Sequence, residues 1–185
     1  SQDYINGKRR QNMGNTTYSG PVRSENGFID VSKNSSTGAI TTNFTLNSSG
    51  LIATPVALSD AAVTLANTTH GGRVIVVPAI AANRTITLPS PSEGVYFKLV
   101  YGGAAEEAEN ILIDTGSNTN FFIGGIAHLD SNADNVSVYS DGNSNSKLTL
   151  TDFGLFEINI LAKDSTNWYI WGYQEGADAP AFGDQ

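Results

Sequence analysis

The feature that most constrains this chain is a rhythm of short alternating apolar runs, each closed by a cluster of Asn, Asp, Gly and Ser. In VYFKLVY (95–101), Val95, Phe97, Leu99 and Tyr101 fall on one face and Tyr96, Lys98 and Val100 on the other. That period of two is the signature of a strand with unlike faces. Pro89 and Pro91 end the preceding run RTITLP (84–89), since proline removes a ladder donor and fixes φ, and Gly94 frees the return. Further runs are NILID (110–114), NFFIGGIAHL (120–129), VSVYS (136–140), KLTLTD (147–152), LFEINILAK (155–163) and WYIWGY (168–173). The links TGSNT, DSNADN, DGNSNS and DSTN are residues that tolerate turn geometry. No stretch carries a helical i, i+3, i+4 apolar stripe of useful length. The expectation is an all-β fold, an antiparallel β-sandwich (jelly-roll-like) or a barrel.

The organisation along the chain follows from composition. Residues 1–27 are rich in Asn, Gly, Ser, Gln and Arg with aperiodic apolar residues, too polar to build a core. They read as an extended N-terminal arm whose order must come from a partner; the residues suited to docking are Tyr4, Ile5, Lys8, Arg9, Arg10, Tyr18 and Arg23. The body spans 28–174. Within it, residues 28–50 read alternatively as a separate β-hairpin leading into the body, with FIDV (28–31) and AITTNFTL (39–46) as strands and Ile40, Thr42, Phe44 and Leu46 on one face. The stretch LSDAAVTLAN (58–67) fits either a strand or one helical turn. Residues 175–185 read as an acidic tail, in which Phe182 either packs on its own chain or anchors in a neighbour.

Charge is uneven. Up to Lys33 there are five basic and three acidic residues, whereas the rest carries five basic and fifteen acidic. An acidic body disfavours nucleic acid, and the longest apolar run, VIVVPAIAA (74–82), is too short to span a bilayer. With no Cys there are no disulfides. The opening residues lack a signal-peptide core, so synthesis in a cytoplasm is expected.

Catalytic signals are weak. His70 sits in a turn sequence and His128 in an apolar strand, with nothing to bring them together. Glu106, Glu107 and Glu109 lie in a small-residue loop that reads as solvated. Asp130, Asn132, Asp134 and Asp141 match positions 1, 3, 5 and 12 of a calcium loop, but position 6 is Asn135 instead of Gly and position 12 is not Glu. An Asn/Asp-rich turn is the simpler reading, so no metal and no cofactor is expected. In WYIWGY, alternation separates Trp168 and Ile170 from Tyr169, Trp171 and Tyr173, so one Trp belongs to the core and the other to an exposed, inter-subunit or glycan-stacking face.

From residue 58 to 172, the stretches RTITLPSPSEGVYFKLVY, NFFIGGIAHLD, SVYSDGNSNSKLTL and DSTNWYIWG resemble a β-rich virion module of tailed bacteriophages, especially capsid decoration (cement) proteins and some tail-fibre parts. The resemblance implies a non-enzymatic structural protein on the capsid exterior of a virion, commonly a homotrimer, whose partner is the major capsid protein. The alternative it carries is a tail or fibre adhesin that binds host-surface glycan.

Overall fold

A computed structural model describes residues 27–47 and 50–185. The docking residues expected in the arm, Tyr4, Ile5, Lys8, Arg9, Arg10, Tyr18 and Arg23, lie outside the described residues. Among those described, no helix is long and apolar enough to cross a membrane.

The fold is all-β. A small antiparallel sheet comprises β1 (Phe28–Lys33), β2 (Ile40–Asn47) and β3 (Gly50–Ala53). The body alternates between two larger sheets through β4 (Val56–Ala57), β5 (Val63–Thr64), β6 (Val74–Val77), β7 (Arg84–Thr87), β8 (Tyr96–Tyr101) and β9 (Ile111–Asp114), with a single helical turn α1 (Asn67–His70) after β5. The stretch at 58–67 is therefore a two-residue strand leading to a helical turn. There follow β10 (Phe121–Asp130), β11 (Val136–Tyr139), β12 (Lys147–Leu150), β13 (Phe153–Ala162), β14 (Asn167–Gly176) and β15 (Ala181–Gly183). One sheet runs β11-β10-β14-β13-β8-β6-β4 and the other β15-β12-β9-β7-β5.

The β-sandwich is as expected, but its pairing is mixed. β4, β6 and β8 are mutually parallel, as are β5, β7 and β9, and β10 runs parallel to β14. Consecutive strands from β4 to β9 cross from one sheet to the other, so neighbours within a sheet are joined by a strand of the opposite sheet. That crossover supplies the long connection a parallel pair requires. A jelly-roll order is accordingly not formed. Antiparallel pairing returns where the chain makes the β10–β11 and β13–β14 hairpins and sets β13 beside β8 and β12 beside β9.

The inward residues of both sheets form one core. Ile75, Phe97, Leu99, Phe122, Ile158, Ile160, Trp168 and Ile170 come from the seven-stranded sheet, and Ile86, Ile111, Ile113, Leu148 and Leu150 from the other. Tyr101, Phe153 and Phe156 pack their rings together, with Tyr101–Phe153 and Phe153–Phe156 edge to face at 5.2 Å. Residues 175–185 are not a surface tail. β14 continues to Gly176, β15 closes the five-stranded sheet on β12, and the Phe182 ring meets Phe122 at 6.2 Å inside the same chain.

The first sheet differs from its sequence-based expectation in two ways. It has a third strand, β3, so the segment extends to Ala53 rather than ending as a hairpin at residue 50. Its register also shifts, with Asp30 facing Phe44 but Val31 facing Thr42, which leaves Asn43 as an extra residue. A bulge of this kind breaks the period of two. The Asn43 amide donates to Asp30 Oδ2 (3.0 Å) and Ser32 Oγ (2.7 Å), and this face also holds Phe44 and Leu46. Ile40 and Thr42 are thereby turned to the opposite face, beside Ile29 and Val31.

Candidate interaction surface

The outward face of the seven-stranded sheet follows from the alternation of its strands. In β14, Trp168 and Ile170 are buried, whereas Tyr169 and Trp171 are 39% and 45% exposed and Tyr173 is half-buried beside them. The register places Trp171 between Gly125 of β10 and Asn159 of β13, and Tyr173 between Ala127 and Glu157. The Tyr96 ring of β8 stacks on Trp171 with centroids 6.2 Å apart. Gly125 in turn faces Tyr139 of β11, and a Cβ there would come within 2.6 Å of Tyr139 Cδ1. The Tyr139 ring thus lies over Gly125, with Trp171 on the strand beyond it and Tyr173 beside Ala127. Tyr139 is 72% exposed, and Leu129 and Leu155 extend the apolar surface.

A polar network crosses this face. The Tyr96 hydroxyl donates to Asn159 Oδ1, the Asn159 amide donates to Glu157 Oε1 (3.2 Å), and Lys98 Nζ lies 2.9 Å from the same oxygen. The hydrogen bond between Lys98 and Glu157 raises the lysine pKa and lowers that of the carboxyl, while partial burial raises that of Tyr96. Lys98 therefore sits among apolar neighbours with its charge satisfied. At the end of β14, Lys163 Nζ lies 5.9 Å from the Tyr169 ring centre.

The small sheet is a second exposed apolar surface. Phe28, Ile29, Val31, Ile40 and Leu46 are all roughly half or more exposed. Among the described residues its foothold on the body is slight. Phe44 rests against Gly72, and Arg73 donates through Nε to the Thr54 carbonyl at 2.6 Å and through Nη1 to the Thr69 carbonyl at 2.9 Å.

The residues considered for chemistry are dispersed. His70 Nδ1 accepts the Ala66 N–H at 2.9 Å, and burial lowers its pKa. His128 is buried within β10, where Nε2 donates to the Gly176 carbonyl at 3.0 Å. Glu106 accepts the Ala177 N–H and Glu107 the Tyr101 hydroxyl, so both fasten the 102–110 loop. A cavity of about 230 Å³ beside this loop is lined in part by Glu106, Ser131, Gly154 and Glu175. Next to it, Asp152 takes a positive φ of 39°, and its pKa is raised by a hydrogen bond to Asp178.

The four residues of the weak calcium candidate, Asp130, Asn132, Asp134 and Asp141, fall in two turns. Asp130 Oδ1 accepts the N–H groups of Asn132 and Ala133 in one turn. Asp141 Oδ1 accepts those of Asn143, Ser144 and Asn145 in another. Strand β11 separates the two turns, so the carboxylates cannot wrap one ion. Among the described residues no cluster of His, Cys, Asp or Glu is arranged to hold a metal.

Sequence reasoning missed Tyr96 and Tyr139 as members of the aromatic face. Alternation marks them as outward within their own strands, but only the register sets them beside Trp171. No family model matches the chain, and no curated protein matches it.

Proposed function

We propose that this chain is a non-enzymatic structural protein of a tailed-bacteriophage virion, which binds the assembled capsid lattice from outside and stabilises it. The N-terminal arm docks on the major capsid protein, and the body assembles as a homo-oligomer, with three copies matching a local three-fold position. A protein that binds only the assembled shell shifts the assembly equilibrium toward it by mass action. The observation that carries this reading is the small sheet: apolar residues of β1 and β2 stand exposed, and among the described residues few contacts tie them to the body. Apolar residues gathered in the open on one small sheet mark a surface suited to being covered by a partner. The resemblance of residues 58–172 to decoration modules points the same way.

The test is co-sedimentation with purified capsids of the virus that encodes the chain, with cryo-electron microscopy of the decorated shells. The full chain should bind capsids and raise their disruption temperature, and a chain lacking residues 1–27 should not bind. Full decoration by the truncated chain would remove the arm from the account, and absence of the intact protein from capsids would end it.

A second reading, a tail or fibre adhesin, is favoured by the exposed ring surface of Tyr96, Tyr139, Tyr169, Trp171 and Tyr173, since flat aromatic rings suit the apolar faces of sugars. It requires glycan binding that is lost in Trp171→Ala with the fold intact. A glycan screen without hits would reject it.

A further inference from the structure

We infer that the small sheet of one copy packs on the aromatic face of the seven-stranded sheet of a second copy, in a head-to-tail contact. The inference goes beyond capsid binding and does not depend on it.

Among the described residues two apolar surfaces of like character are exposed. One is the face of the small sheet bearing Ile29, Val31 and Ile40, which are 60%, 46% and 66% exposed. The other is the face bearing Leu129, Tyr139, Leu155, Tyr169 and Trp171. In a single copy the two stay apart, since the residues of both are exposed. The small sheet ends at Ala53 and β4, the edge strand of the body, begins at Val56. The two residues between reach only about 10 Å. The Trp171 strand lies four strands further into the sheet and the Tyr139 strand six, on the order of 20–30 Å away. The Arg73–Thr54 bond and the Phe44–Gly72 contact fix where the small sheet sits on its own body.

Charge agrees with this pairing. Lys33 stands opposite Ile40 in the small sheet, and Glu175 stands opposite Leu129 in the body. Neither has an ion-pair partner among the described residues. Docking would bring a free cation to a free anion at the rim of the apolar contact. Because the two surfaces differ, each copy offers one of each, and the contact propagates from copy to copy until a ring closes.

The experiment is sedimentation velocity of the full chain over a concentration series. The intact protein should associate, and Ile40→Glu and Trp171→Glu should each weaken association at least tenfold without altering the melting of the body. Mixing the two variants should restore a single junction, because Trp171→Glu keeps a sound small sheet and Ile40→Glu keeps a sound aromatic face. The product should therefore be a dimer and nothing larger. Lys33→Glu and Glu175→Lys should each weaken association, and combining them in one chain should restore it. A wild-type chain that is monomeric throughout, variants that associate normally, or a mixture that stays monomeric would each overturn the inference.

Discussion

Trp168 offers a sharp test of the core. It is fully buried in β14, flanked by Phe122 and Ala162 on the neighbouring strands, with its ring 5.8 Å from that of Phe97. Its indole N–H is also buried and has no acceptor among the described residues. Trp168→Ala removes the ring and leaves a cavity, which costs about 3–5 kcal/mol. For a chain of 185 residues, each kcal/mol moves Tm by about 2–4 °C, so the fall should be about 6–20 °C. Trp168→Phe keeps an aromatic ring against Phe97 and loses part of the indole area, a cost of about 1–2 kcal/mol. It also deletes the unpaired donor, which returns about 1–3 kcal/mol. The balance runs from about 1 kcal/mol less stable to about 2 kcal/mol more stable than wild type by the same relations. Urea unfolding followed by far-ultraviolet circular dichroism measures both, with an unchanged m-value confirming comparable unfolding. If Phe is as damaging as Ala, the reasoning fails, because the indole N–H must then be satisfied.

Gly172 takes a φ of 151°, and a Cβ there would collide with the Glu157 carbonyl oxygen of the paired strand. Gly172→Ala should therefore cost about 2–4 kcal/mol, read as a shift in the urea midpoint. Acid should destabilise the protein. Arg84 holds the Asp60 pKa down, Lys98 does so for Glu157, Ser144 for Asp141 and Asn167 for Asp164. The stability these four contribute is present above their unfolded values near pH 4 and is lost as pH falls through the lower folded ones. Asp152, raised by Asp178, acts in the opposite sense and is outnumbered. Melting temperature against pH should thus drop on the acid side, with a shallower drop in Asp164→Asn. At the alkaline end, burial and the hydrogen bond to Glu107 push Tyr101 up to about 12. Its contribution is present below about pH 10 and is lost as pH rises toward 12, so ultraviolet titration should find a tyrosine that ionises late and is absent in Tyr101→Phe.

Much of this architecture was legible in the sequence, because alternation reports directly on which side chains enter a core. In Val95–Tyr101 and Trp168–Tyr173 the two faces separate as alternation expects, and the division of Trp168 from Trp171 followed from parity alone, though not which of them is buried. Pairing was not legible, since parity assigns a face and names no neighbour. The parallel pairs from β4 to β9 and the juxtaposition of Tyr96, Tyr139 and Trp171 both depend on strand order. The bulge at Asn43 reversed the side assigned to Ile40 and Thr42, because one inserted residue inverts every parity beyond it. Strand β15 was missed because a three-residue run beside Gly and Pro has no period to detect. The aspartates at 130 and 141 satisfied a spacing, yet an intervening strand keeps them in separate turns.

The account rests on the small sheet taking its stability from another molecule's surface, and amide hydrogen exchange of the full chain reads this directly. In dilute monomer, the amides of residues 28–47 should exchange far faster than those of β13 and β14. On assembly, with itself or on a shell, they should become protected while the core is unchanged. Protection of that segment in the monomer equal to that of the core would contradict the claim.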